Sequence, residues 1–205
     1  MTYIKGTAAA CAVAFVLSGC SMLESLPVPP AGTTAAEYYA KAVKGDAEAQ
    51  HALGVCYADG SNGVAKDRQA AMKWYLKAAK QGNPNSQLSL ALKYDDMKNL
   101  KEAAHWYQIA AQSGDSEAQW WLATKYEQGK GGLPKDPAAA FQWYRKSALQ
   151  GNGDGMLDLA KCYRYGKGCT PSRKDAIYWY RKTAALGDGH CDLYAREALQ
   201  EMGAL

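Results

Sequence analysis

The sequence predicts an all-α fold, a solenoid of repeated antiparallel helix pairs, and three observations carry this prediction. A Trp-Tyr pair recurs four times, at intervals of 32, 37 and 36 residues. An alanine stands three residues before each tryptophan and a glycine eight residues after it. A second motif, Leu-(Gly/Ala)-x-x-Tyr, precedes every Trp-Tyr pair. Self-similarity at such a period is typical of helical repeat arrays. The four pairs begin at Trp74, Trp106, Trp143 and Trp179.

The helix that carries each Trp-Tyr pair has recognisable ends. Seven residues before the tryptophan stands a side chain that can accept a hydrogen bond from the free amides of a first helical turn. These candidate N-caps are Asp67, Asn99, Asp136 and Ser172. The glycine at the other end is a typical helix stop. Each unit therefore contains one helix that runs from the cap towards the glycine.

A second helix precedes each of these and carries the leucine and tyrosine of the other motif. Leu53 and Tyr57 are four residues apart, so they share one face of a helix. The small residue after the leucine leaves room for a neighbouring helix. The connection in the second unit, "DDMKN", is five residues shorter than its counterpart in the first, which explains the 32-residue interval.

Residues 1–19 are predicted to be a targeting segment. Lys5 precedes an apolar run, residues 8–17, which is too short to span a bilayer but suits the core of a secretory signal. The run ends in "LSGC", which resembles the lipobox of bacterial lipoproteins. This resemblance implies that Cys20 becomes the first residue and carries acyl chains such as palmitate. The alternatives are an ordinary secretory signal or an uncleaved anchor.

The position after the lipidated cysteine bears on the destination. Ser21 stands where an Asp would imply retention at the inner membrane, so the resemblance implies the outer membrane, facing the periplasm. Residues 20–34 contain three prolines, and prolines disfavour a continuous helix. We therefore expect this segment to be an extended tether.

The repeat "ALGVCYADGSNGVAKDRQAAMKWYLKAAKQGNPNSQ" resembles the Sel1-like repeat, a relative of the tetratricopeptide repeat. The resemblance implies a right-handed superhelix whose concave side is an extended binding surface. We expect the repeat domain to cover residues 35–205. It divides into a half-repeat at 35–46, full repeats at 47–83, 84–115, 116–152 and 153–188, and a capping helix at 189–205.

The same resemblance suggests which side chains line the concave side. They stand one residue before and two residues after each motif leucine. These positions are Ala52, Val55, Ser89, Leu92, Trp121, Thr124, Asp158 and Lys161. The outlier is the "WW" at Trp120 and Trp121, since adjacent helical residues differ by about 100° in direction. We expect Trp120 to pack between helices and Trp121 to anchor a partner, with the flanking charges only a solvated face.

Four cysteines follow Cys20. Cys162 and Cys169 lie at the same end of one helix pair, so they are the candidate disulfide, while the alternative is that the cysteines are small buried apolar residues. His190 and Cys191 lack the Cys-x-x-Cys spacing of a zinc site, so no metal site is predicted. No cofactor is predicted either.

The predicted function is a membrane-anchored adaptor of the bacterial envelope that binds a protein partner and is not an enzyme. Neither Ser-x-x-Lys nor Gly-x-Ser-x-Gly occurs in the chain, and a net charge of +4 without a dense basic patch gives no case for nucleic acid. The resemblance implies two alternatives. One is a periplasmic immunity protein against a secreted phospholipase-type effector, and the other is the β-lactamase-like activity described for cysteine-rich relatives.

Overall fold

The computed structural model describes residues 26–187 and 189–204. The predicted signal segment, Cys20 and the first part of the predicted tether lie outside the described residues. Within the described ranges the secondary structure consists of ten α-helices. They are α1 Thr34–Ala42, α2 Ala47–Asp59, α3 Arg68–Lys80, α4 Pro84–Asp96, α5 Leu100–Gln112, α6 Ser116–Gln128, α7 Pro137–Leu149, α8 Gly153–Tyr165, α9 Arg173–Ala184 and α10 Cys191–Glu201.

The helices stack as a solenoid in which each packs against the next along the chain. The pairs α2–α3, α4–α5, α6–α7 and α8–α9 are the four predicted full repeats, preceded by the half-repeat helix α1 and closed by α10. The first helices of successive repeats also contact each other, α6 with α8 and α8 with α10. In a curved two-layer stack the inner layer is the more closely spaced, so the first helices lie on the concave side.

The helix ends follow the sequence signals. Asp67 accepts hydrogen bonds from the amides of Gln69 and Ala70, and the other three predicted caps make the corresponding bond. The predicted stop glycines lie two or three residues beyond the last helical residue, each with a positive φ. The glycine therefore serves the turn into the next helix rather than the last helical position.

The core is built mainly from the repeated leucines and tyrosines. Leu53, Leu90, Leu122 and Leu159 are all fully buried, as are Tyr107, Tyr144 and Tyr180 within about one per cent. The tryptophans are less uniform, because Trp74 is fully buried whereas Trp143 is only half-buried. The tyrosine of each Trp-Tyr pair is thus the more constant packing element.

The described end of the predicted tether packs on the first repeat. Leu26 and Pro29 are buried, and the Tyr57 hydroxyl donates a hydrogen bond of 2.6 Å to the Pro27 carbonyl. The described part of the predicted tether is therefore docked on the repeat domain.

The loop inside each long repeat packs on the preceding repeat through a glycine. A Cβ at Gly131 would overlap the Leu100 carbonyl at the start of α5, and one at Gly168 would overlap the Pro137 carbonyl at the start of α7. Only glycine allows this approach, so the loops set the spacing between repeats.

Substitution of Gly168 tests this role. Gly168 and Gly151 both have positive φ, but Gly151 has open space where a Cβ would stand. We expect Gly151→Ala to lower the free energy of unfolding by about 1 kcal/mol, from backbone strain alone. Gly168→Ala adds a clash with backbone and should cost about 3 kcal/mol. Urea unfolding measures both values, and equal costs would contradict the packing role of the loop.

Candidate functional site: a groove along the first helices

The eight residues predicted to line the concave side share one level of exposure. Each is half-buried, although the leucine beside it in the chain is fully buried. They therefore lie at the edge of the core on the first helices, with one side open to solvent. The residues are Ala52, Val55, Ser89, Leu92, Trp121, Thr124, Asp158 and Lys161. Their part in binding stays a prediction.

Two of them, Leu92 and Trp121, line a recess of about 360 Å³ between α4 and α6. The Trp121 ring stacks on the ring of Tyr107 with centroids 5.8 Å apart and planes 19° from parallel. The Lys125 ammonium lies over both rings, 5.8 Å from the Trp121 centroid and 5.7 Å from that of Tyr107. Trp121 therefore forms a rigid wall of the recess instead of projecting from the surface.

A buried ion pair forms another wall of this recess. The Lys125 ammonium donates to both carboxylate oxygens of Asp95, at 2.7 and 2.8 Å, and the Lys125 side chain is only 8% exposed. The expectation that the charges flanking Trp121 form a solvated face is wrong for Lys125. The residue faces α4 across the repeat boundary, where Asp95 satisfies its charge.

Trp120 joins α6 to α8. Its indole Nε1 donates a hydrogen bond of 2.8 Å to Asp158, and Lys161 donates to the same carboxylate at 2.8 Å. The Trp120 and Trp121 rings also contact each other, with centroids 4.5 Å apart. Two predicted groove residues, Asp158 and Lys161, are therefore brought together, and Trp120 ties them to the aromatic recess.

A larger cavity of about 810 Å³ opens beyond this point, between the loops that follow α6 and α8. Lys167 donates to Glu127 at 2.7 Å, and the Tyr144 hydroxyl donates to the same carboxylate at 2.9 Å. A smaller cavity shares these three residues and also reaches Asp158 and Lys161. The two predicted groove residues therefore border this polar end of the groove.

The pKa shifts at the polar end follow from burial and from these bonds. Burial raises the pKa of Glu127, but the hydrogen bonds from Lys167 and Tyr144 outweigh it, so the net pKa lies below the ordinary value of 4.5. Burial raises the pKa of the Cys162 thiol to about 12, with the negative charge of Glu127 as the next cause. Glu127 is therefore a carboxylate at neutral pH and Cys162 a protonated thiol, which is a poor nucleophile.

The predicted disulfide between Cys162 and Cys169 is not formed in this structure. Both residues are free thiols, and the Cys169 Sγ points to the main-chain carbonyl of Cys162 at 3.5 Å. The glycine turn between them directs Cys169 to the end of α8, whereas Cys162 is buried against the core and borders the cavity. Cys56 is a free thiol as well.

Sequence reasoning missed the residues that complete the groove. Asp95, Glu127, Tyr107 and Tyr144 belong to it because of their neighbours in space. The sequence contains one signal for Asp95 and Glu127, because both stand five residues after a motif leucine. The equivalent position is Ala58 in the first repeat and Arg164 in the fourth, so it varies in charge while the packing residues repeat.

The groove therefore offers stacked aromatic rings and paired charges along the concave side of a helical array. The model of the Sel1 repeat matches residues 8–46, 47–83, 85–115, 116–152 and 153–188. The chain belongs to the Sel1 repeat family. Four matches coincide with the predicted full repeats to within one residue, and the first begins inside the segment expected to be a signal. Sel1 repeats generally build protein–protein interaction scaffolds, and members of the family are typically not enzymes.

Solved structures of this family share the solenoid fold. A Sel1 repeat protein from Oxalobacter formigenes is 37% identical, with a TM-score of 0.69 over 74% of this chain and 63% of that one. The protein c5321, a protective antigen of uropathogenic Escherichia coli, is 31% identical, with a TM-score of 0.73 over 80% of this chain and 36% of that one. Helicobacter pylori cysteine rich protein B is 26% identical, with a TM-score of 0.50 over 62% of this chain and 92% of that one.

This chain spans less than two thirds of the length of the first two proteins. No curated protein matches it. The all-α, right-handed superhelical solenoid predicted from the repeats is confirmed. The immunity and β-lactam alternatives stay predictions.

The ion pair in the recess generates a prediction about stability. Asp95→Ala leaves the buried Lys125 ammonium without its carboxylate, and we expect the free energy of unfolding to fall by about 3 kcal/mol. Lys125→Met should cost less, because Asp95 is more exposed and can recover water. The double variant Asp95→Ala/Lys125→Met removes both charges and should be more stable than Asp95→Ala alone. Urea unfolding tests this order, and a double variant less stable than either single one would contradict it.

Proposed function

We propose that this chain is a lipid-anchored adaptor of the bacterial envelope that binds a segment of a partner protein along its concave groove. The observation that carries the proposal is the continuous series of Trp121, Trp120 and Asp158 across α6 and α8. The recess beside Trp121 lies at one end of this series, and the smaller cavity beside Asp158 lies at the other. Membership of the Sel1 repeat family supports a binding function of this kind.

The chemistry of the groove favours a peptide segment of mixed character. The recess lined by Leu92 and Trp121 suits an apolar or aromatic side chain, and aromatic walls are common at binding hot spots. At the polar end, the Glu127–Lys167 pair is about one-third exposed at the carboxylate and half exposed at the ammonium. Charged side chains of a partner can compete for such a pair because solvent already reaches it.

The proposed anchor is an acylated Cys20, and the proposed location is the outer membrane, facing the periplasm. Among the described residues, none of the helices is both long and apolar enough to cross a bilayer. The docking of Leu26 and Pro29 on the first repeat supports an attachment at the N-terminal end of the solenoid. The first repeat would then lie nearest the lipid, with the groove along α4, α6 and α8 farther out.

Loss of the groove should remove the partner. We expect Trp121→Ala and Lys161→Glu each to reduce, at least about tenfold, the amount of partner that copurifies with the full chain from envelope extracts. Lys161→Glu reverses a half-exposed charge and removes no core contact. It therefore still tests the groove if Trp121→Ala does not fold. Quantitative mass spectrometry of the copurified proteins is the measurement.

The matched control is Tyr178→Ala, which removes an exposed aromatic ring from the outer helix α9. It should leave the copurified partner unchanged. If Tyr178→Ala abolishes capture while both groove variants retain it, the partner binds the outer face and the groove proposal is wrong.

Lipidation has a separate test. Cells that produce the full chain and are fed labelled palmitate should incorporate the label, and Cys20→Ala should abolish it while Cys169→Ser does not. Persistent labelling of Cys20→Ala would overturn the proposed anchor and leave the groove unaffected.

A further inference from the structure

A second group of polar side chains lies where α10 begins beside the first turn of α8. Asp154, His190 and Cys191 place one ligand atom each within 4.8 Å of one another. The Cys191 Sγ is 3.4 Å from the Asp154 Oδ1 and 3.7 Å from the His190 Nδ1. The absence of a metal site was predicted from the spacing of His190 and Cys191 alone, and that argument did not include Asp154, which stands 37 residues before Cys191.

The two distances from the Cys191 sulfur match the geometry of a tetrahedral zinc site. With zinc–sulfur bonds of about 2.3 Å and zinc–oxygen or zinc–nitrogen bonds of about 2.0 Å, the sulfur lies about 3.5 Å from each of the other two ligands. Both sulfur distances in the structure are within about 0.2 Å of that value. We propose that Asp154, His190 and Cys191 form a binding site for a divalent ion of the zinc class.

The ligand types define the class of ion. A thiolate and an imidazole favour zinc, cobalt and related transition metals, whereas magnesium and calcium prefer oxygen ligands alone. On binding, the metal–sulfur bond replaces the thiol S–H bond, and the proton of Cys191 leaves to solvent without any change of oxidation state. His190 is exposed at the surface, so water can complete the coordination as the fourth ligand.

The site has a structural consequence, because its ligands come from two helices. Asp154 belongs to the first turn of α8, and Cys191 is the first residue of α10. A bound ion would hold this end of α10 against α8 and so close the C-terminal end of the solenoid.

Cobalt binding to the untagged full chain tests the proposal. After removal of metals with a chelator, titration with Co²⁺ should produce thiolate-to-cobalt charge-transfer absorption that saturates at one ion per chain, and Zn²⁺ should abolish it. Cys191→Ser should remove this absorption. Asp154→Asn and His190→Ala should weaken Co²⁺ binding at least about tenfold. The melting temperature of the wild type should rise with Zn²⁺, and that of Cys191→Ser should not.

Cys169→Ser is the matched control, since it removes a partly exposed thiol outside the cluster and should leave Co²⁺ binding unchanged. Charge-transfer absorption that persists in Cys191→Ser would overturn the site. So would a wild-type chain that binds no Co²⁺, or Co²⁺ affinity unchanged in both Asp154→Asn and His190→Ala. The last two variants keep the test decisive if Cys191→Ser does not fold.

Discussion

The close approach of a tyrosine ring to a small residue on the preceding helix is the contact on which the whole array depends. In the first repeat, a Cβ at Gly54 would lie 2.6 Å from the Tyr75 ring, so this ring packs directly on the glycine. The later repeats use alanine at the same position, and Ala91, Ala123 and Ala160 are fully buried. A larger residue would separate the two helices and displace every repeat that follows, since each repeat is positioned by its neighbour.

That contact also explains why the concave side can vary without loss of the fold. The motif leucine, the small residue after it and the tyrosine of the Trp-Tyr pair face the core. The residue before the leucine therefore does not have the same packing role in all four repeats. Trp121 and Asp158 occupy the same position in successive repeats, yet one stacks on Tyr107 and the other accepts hydrogen bonds from Trp120 and Lys161. Differences between copies are therefore concentrated on the surface that a partner would meet.

The features predicted correctly from the sequence are those determined within one repeat. Asp67 caps α3 through amides two and three residues away, and such a bond can be inferred from local spacing. The Lys125–Asp95 pair joins residues 30 positions apart in different repeats, and the Asp154–Cys191 contact spans 37. Both depend on how one repeat is rotated against the next, which the spacing of motifs does not reveal. Cys162 and Cys169 are free thiols in this structure, because nearness in sequence does not determine the direction of the Cys169 side chain.

The repeated tyrosines connect the scaffold to the charge of the groove. The Tyr144 hydroxyl donates to Glu127, the negative charge of Asp95 raises the pKa of Tyr107 further after burial, and Arg164 partly offsets the raised pKa of Tyr180. The ring is a constant packing element, but the charge that acts on its hydroxyl differs between repeats. It comes from Asp95 for Tyr107, from Glu127 for Tyr144 and from Arg164 for Tyr180. A charge change at this one position therefore alters the potential of the groove while the ring contact that spaces the helices stays the same. Where this residue is paired with a buried charge, as Asp95 is with Lys125, a change of its charge requires a matching change in its partner.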